Sequence, residues 1–343
     1  MNEISRKKPA FPIQPEFRNY LEMYGRENDL PVNYDHLEAW ELSVPLLDKI
    51  GNDTLWETVF YNPDKTKWLN TGLTSIYALL KTEGDVNVME HLQVERIDYC
   101  TFGNSNPFRV RIINRLNDNY DYFYVKKADA SRVYGLELEH LLSPNRMSYI
   151  TDDNTLIEEH VAGIPGDNFM RDYMHQKPTN RVRLAKEFVK FNERCFVRLL
   201  GDMRAYNYVI DITPDFDDIQ YRIRAIDFDQ QSYEGRKNLY LPQFFKENKP
   251  IVDLCIELLT FESFQQYQKE ERSAIARRFK AEKEKLEQLL QVMEKDEISN
   301  TEKVKTLADE LGEYYQTTAF KSAKTMGELL LFSLKEVATL QHK

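Results

Sequence analysis

Two short segments carry residues that could do chemistry. Leu200–Ile210 (LGDMRAYNYVI) sets Asp202 and Asn207 five positions apart. Arg224–Asp229 (RAIDFD) puts Asp227 at the end of a β-rich run. A carboxylate can orient an acceptor hydroxyl and take its proton. A carboxylate and an amide oxygen are both hard ligands, suited to holding Mg²⁺ against phosphates. Phosphoryl transfer needs such a set. It also needs an upstream strand lysine for the phosphates and a helix glutamate to fix that lysine. Asp227 stands between Ile226 and Phe228, where an unpaired charge is costly, which argues against a mere turn carboxylate.

Those residues must be positioned by the elements around them. Residues 1–90 read as a mostly helical extension after Pro9, Pro12 and Pro15. Within 71–81, Leu73, Ile76, Tyr77 and Leu80 share one helical face, and Gly84 with Asp85 ends that helix. The period then changes. Residues 94–100, 108–113 and 120–126 alternate, with turn formers at 103–107 and 117–119, which predicts a three-strand antiparallel meander. A short helix over 130–142 closes at Ser143-Pro144-Asn145. Strands at 147–151 and 155–161 follow, and Gly163, Pro165 and Gly166 make a linker. A long amphipathic helix over 181–200 leads into Asp202. Short strands at 208–211 and 221–226 are joined by an acidic loop, 213–218. From 251 onward the pattern is helical, with the charged run 270–295 read as a solvated helix face.

The order strand-strand-strand-helix-strand-strand-linker-helix, then D-x4-N, then a strand ending in Ile226-Asp227-Phe228-Asp229, resembles the protein-kinase-like superfamily. Gly201-Asp202 and the Asp-Phe-Asp ending look more like the aminoglycoside phosphotransferase branch than like protein kinases. The resemblance covers about residues 90–260. It implies an α+β, bilobal fold with a small antiparallel β lobe at 91–163. A larger helical lobe at 164–343 follows, behind the helical N-terminal extension. ATP and Mg²⁺ would bind between the lobes. Asp202 matches the catalytic base, and Asn207 and Asp227 match the metal ligands. Lys126 matches the phosphate-holding lysine, with Lys127 as rival, since a one-residue slip flips the side chain to the other face. Glu137 matches its helix partner, with Glu139 as alternative. Gly103, Asn104 and Ser105 sit where a phosphate-covering loop belongs. Glu159 to Ala162, with Glu159 and Val161 as the backbone contacts, falls at the adenine-facing hinge.

The chain departs from that pattern in places. The covering loop has one glycine, His-Arg is absent before Asp202, Asp-Phe-Gly is Asp-Phe-Asp, and no Ala-Pro-Glu follows. These departures argue against control by an activation loop and leave every base and metal position filled. The plainer alternatives are a solvent-facing strand lysine for Lys126 and a surface helix glutamate for Glu137. Asp229 is either a second metal contact or a cap. At the level of function, the alternatives are an inactive pseudokinase or partner-binding scaffold, and a nucleotidylating enzyme using the same residues. A D-x-D phosphatase with Asp227 as nucleophile is a further one, although that fold needs β-α units after the motif and helical sequence stands there.

Composition bounds the rest. The 343 residues carry 46 Lys+Arg against 56 Asp+Glu, a net charge of −10, which argues against a general nucleic-acid binder. No apolar run approaches the roughly 20 residues of a membrane span, and no secretory signal opens the chain. Cys100, Cys195 and Cys255 are far apart and odd in number, so neither a disulfide framework nor a metal-type spacing exists. The expected setting is cytoplasmic. The partners are ATP and an unidentified hydroxyl acceptor, a small molecule or a protein. Acidic groups at 211–218 and the histidines 140, 160 and 175 lack ligand spacing.

Overall fold

The computed structural model describes residues 8–82, 90–102, 105–177, 179–214 and 219–339. The helix stop at Gly84 and Asp85, the loop residues Gly103 and Asn104, and the acidic tip 215–218 lie outside them. In chain order come α1 (Pro15–Met23), α2 (Tyr34–Glu38), β1 (Leu42–Leu47), β2 (Asp53–Phe60), α3 (Pro63–Thr82), β3 (Leu92–Cys100), β4 (Phe108–Asn114) and β5 (Tyr120–Lys127). Next are α4 (Ala130–Leu142), β6 (Tyr149–Asp152), β7 (Thr155–Glu159), β8 (Ile164–Pro165), α5 (Gly166–Asp172), α6 (Arg181–Val197), β9 (Tyr208–Pro214) and β10 (Ile219–Ala225). Helices α7 (Lys249–Leu258), α8 (Phe261–Ala281), α9 (Lys283–Met293), α10 (Thr301–Tyr315) and α11 (Met326–Thr339) complete the chain. The fold class is α+β, and the element order from β3 to β10 is the one the kinase-like resemblance implies.

The described chain divides into two compact units, 8–129 with 147–160 and 130–146 with 161–339. The first, the sheet unit, is built on one antiparallel sheet in the order β1-β2-β3-β4-β5-β7-β6. Its alternation sorts the side chains. Phe108, Val110 and Ile112 of β4 and Phe123 and Val125 of β5 point to one face. They form a single buried cluster with Leu37 of α2 and Leu69, Leu73 and Ile76 of α3. The apolar stripe read from 71–81 is therefore the stripe that covers the sheet. Asn33 caps α2 by accepting from the His36 N–H at 3.0 Å, and Tyr34 N–H donates to Thr155 Oγ1 at 2.9 Å, tying that helix to β7.

The N-terminal region departs from the helical extension expected for 1–90. It holds the β1–β2 hairpin, which adds to the sheet through Trp56 opposite Cys100. Its turn is set by Asp48, whose Oδ1 accepts from the Ile50 and Asn52 N–H groups, and by Gly51 at φ +89°. The division at 90 and 163 is thus not the division of the fold: residues before 82 complete the sheet unit, and α4 belongs with the helices.

The second, helical unit centres on α6, with Leu184, Phe188, Phe191 and Phe196 buried. Helix α6 ends at Val197, capped by Arg198 N–H on Arg194 O, three residues short of the expected end. Ser333 Oγ of α11 donates to Val197 O at 3.0 Å, and Phe196 and Tyr315 stack at 6.1 Å, so the C-terminal helices brace the end of α6. The charged run 270–295 is not one solvated helix. It breaks at Glu282, and Leu286, Leu289, Leu290 and Met293 of α9 are fully buried. Strands β8, β9 and β10 form a small sheet in the order β10-β9-β8. All three cysteines are buried and free. No described helix is long and apolar enough to cross a membrane.

Candidate active site

In the helical unit, the segment after α6 makes a tight loop. Leu199 and Asp202 both adopt left-handed backbone, at φ 53° and 57°. Asp tolerates that region, whereas a buried Leu occupies it only when the surroundings force it, and such strain gathers at functional sites. The forcing contacts are backbone bonds. Gly201 N–H donates to Gln230 O, Asp202 N–H to Leu239 O, and Ser232 N–H to Leu199 O, at 2.8–3.1 Å. A Cβ at position 201 would meet Gln230 O at 3.0 Å, so glycine allows this close approach.

Asn207 then closes the loop. Its Nδ2 donates to Asp202 O at 2.7 Å, and its own carbonyl accepts from Ile226 N–H at 3.0 Å. Strand pairing sets Tyr208 opposite Ala225. Asn207 and Asp227, one residue before the β9 partner and two after the β10 partner, are thereby brought to the same end of the hairpin. Asp227 Oδ1 accepts from Asp229 N–H at 3.0 Å. The Asn207 amide nitrogen is spent on Asp202 O, and the amide oxygen is the atom that would serve as a metal ligand.

Asp202 feels the charge of Asp227. Burial pushes its pKa from 3.8 up to about 6. The hydrogen bond and charge of Arg204 pull it down, and the charges of Asp227 and Glu247 push it up. Arg204 Nε donates to Asp202 Oδ1 at 2.7 Å, its Nη1 donates to Glu247 Oε1 at 3.2 Å, and its guanidinium lies 5.5 Å from the Phe245 ring centroid. Asn248 anchors that segment by donating to Met203 O and Pro242 O, and it accepts from Tyr208 OH at 2.9 Å.

Helix α4 is fastened to the Asp-Phe-Asp segment within the same unit. Arg132 forms an ion pair with Asp229. Ser131 Oγ donates to Gln231 O at 2.6 Å, and Gly135 sits where a Cβ would meet Phe228 Cβ at 3.0 Å. Asp229 is thus held by an arginine. Glu139 pairs with Arg198, both almost fully buried, while Glu137 is 1% exposed in the same helix.

In the sheet unit, register separates the two lysines. Arg109 lies opposite Tyr124, so Arg109, Tyr122, Tyr124 and Lys126 share the face away from α2 and α3. Lys127 points the other way, 3.2 Å from Glu38 of α2 and over the Tyr34 ring. Lys126 Nζ instead meets Glu158 Oε2 at 2.6 Å. Around it, Arg109 lies 4.4 Å from the Trp56 ring centroid, and Tyr124 OH bonds His160 Nδ1 at 3.1 Å. Glu159 accepts from Ser148 N–H at 2.8 Å and pairs with Lys81, and Val161 is buried. The unit boundary in the chain falls between His160 and Val161, inside the expected hinge. Ser105 is half-buried in a turn.

Sequence reasoning missed Arg204, Glu247, Arg132 and Glu158. The i+2 spacing of Arg204 from Asp202 was a local signal. The other three act through contacts distant in sequence and left none. Among the described residues, no group of three or more His, Cys, Asp or Glu gathers as a metal cage. Asn207 and Asp227 would offer two hard oxygens instead. That set fits Mg²⁺, which is commonly held by one or two carboxylates while substrate phosphates and water fill the rest.

No family model matches the chain, and no curated protein matches it. Among solved structures, the chain is similar to the autoinhibited serine kinase domain of the giant muscle protein titin. The identity is 13% and the TM-score 0.30, over 71% of this chain and 92% of that one. Titin kinase with its flanking domains gives 13% identity and a TM-score of 0.25, over 71% of this chain and 54% of that one.

Proposed function

We propose that this chain is an ATP- and Mg²⁺-dependent phosphotransferase acting on a hydroxyl acceptor. The observation that carries the reading is the loop geometry: Asn207 bonded to the Asp202 carbonyl, Asp227 at the adjoining strand end, and an Asp202 carboxyl with proton affinity raised to about 6. A base works best when its pKa lies near the operating pH, and Asp202 has been moved toward it. Asn207 and Asp227 would hold the metal, which when bound neutralises phosphate charge. Arg204, already on Asp202, offers further positive charge to the transferring group. Lys126 would take the phosphates.

Gly201-Asp202 and Asp227-Phe228-Asp229 support a place near the aminoglycoside phosphotransferase branch, and so a small-molecule acceptor. The test is the melting temperature with ATP, with Mg²⁺, and with both. At about 100 times Kd, ligand stabilises by about 2.7 kcal/mol, a shift of a few degrees. A shift that requires both supports the reading and justifies an acceptor screen. No shift at millimolar Mg·ATP overturns it in favour of a partner-binding scaffold.

A further inference from the structure

Lys126 already has a partner, and that partner is on a strand. Strands β5 and β7 run antiparallel, with Tyr124 opposite Glu158 and Lys126 opposite Leu156. Lys126 and Glu158 are therefore diagonal neighbours on one face, a separation long side chains span. Their charged ends meet at 2.6 Å, with side chains only 10% and 3% exposed. An ammonium buried to that degree is costly without a paired carboxylate. Glu158 is otherwise uncommitted: its Oε1 is buried and accepts no hydrogen bond among the described residues. Its effect on the site therefore runs through the lysine.

The kinase-like resemblance assigns this task to α4. There, Glu139 is committed to Arg198. The helix is also fastened by Arg132 to Asp229 and by Ser131 to Gln231. Glu137 belongs to the helical unit, whereas Lys126 and Glu158 share the sheet unit.

We propose that Glu158, rather than a helix glutamate, is the positioning residue that holds the Lys126 ammonium in place for a phosphate ligand. The phosphate part of this statement rests on the function proposed above; the pairing does not. Because the anchor sits on the neighbouring strand of the same sheet, the lysine is set by the sheet itself and needs no helix movement to be engaged.

The pairing can be read without nucleotide. Lysines of the full chain are reductively ¹³C-methylated, the Lys126 signal is assigned with Lys126→Arg, and its chemical shift is compared by NMR at one fixed pH. Glu158→Gln is expected to displace the Lys126 signal, Glu158→Asp to restore part of its position, and Glu137→Gln to leave it in place. A Lys126 signal that moves with Glu137→Gln as much as or more than with Glu158→Gln overturns the proposal. If Glu158→Gln folds poorly, the double variant Lys126→Met/Glu158→Gln decides. Removing both partners leaves no orphaned charge, so it should melt above the Glu158→Gln single variant, and losses that simply add overturn the pairing. Mg·ATP affinity adds the functional arm: Glu158→Gln should weaken it about tenfold and Glu137→Gln should not. Failure of the unmutated chain to bind Mg·ATP would count against phosphotransfer, while the Lys126 signal and the double variant still judge the anchor.

Discussion

Asn207 donates its side-chain Nδ2 to the backbone carbonyl of Asp202 at 2.7 Å. That one bond closes the loop, occupies the amide nitrogen and ties the residue proposed for the metal to the residue proposed for the proton. The left-handed backbone at Leu199 and Asp202 is held by the neighbouring backbone bonds to Ser232 and Leu239.

Asp202→Asn should keep Mg·ATP binding and lose phosphoryl transfer by about 100-fold or more, the usual worth of a positioned base. Acceptor-dependent ATP turnover measured beside the thermal shift checks this. Transfer at the unmutated rate would remove Asp202 as the base.

Activity should rise with pH through a midpoint near 6, because the base must be ionised and Asp202 releases its proton there. Stability should move the other way. The native carboxyl binds its proton more tightly than an unfolded one, so the penalty is absent below about pH 4 and full above about pH 6. The melting temperature of Asp202→Asn relative to the unmutated chain should therefore climb between those limits. Glu247→Gln, which removes a charge that raises this pKa, should shift the activity midpoint downward.

Asp227→Ala should abolish the part of the ATP-induced thermal shift that depends on Mg²⁺. The same shift measured with ATP alone is the control. Unchanged Mg·ATP affinity would take Asp227 out of the metal site.

Leu73→Ala should destabilise the protein by roughly 2–5 kcal/mol, the range for emptying a buried leucine site. Leu73 is fully buried in the cluster that joins α3 to the sheet. Chemical denaturation reads this directly, and a change under about 0.5 kcal/mol would contradict the packing.

The spacing of Asp202 and Asn207 and the strand end at Asp227 were legible in the sequence because each is a local pattern. The backbone bonds that hold the loop to Gln230, Ser232 and Leu239 were not, because their partners lie far away in sequence. Lys126 against Lys127 was not legible, because the choice depends on which face of β5 is covered, and the cover comes from α2 and α3. The β1–β2 hairpin was missed because its turn relies on Asp48 bonding back to Ile50 and Asn52. Its burial pattern is also too exposed to announce a strand. Arg132 and Glu158 were invisible for a simpler reason: each finds its meaning in a partner on another element.

The packing of α2 and α3 onto the sheet bears on how this molecule can be taken apart. A cut near residue 90, where the pattern of the chain changes, would run through a continuous apolar seam. It would leave Phe108, Val110, Phe123 and Val125 facing water. The stretch that looks like an attachment is the inner lining of the sheet unit. A shortened protein beginning at β3 should therefore aggregate even with every residue assigned to phosphate or metal still present.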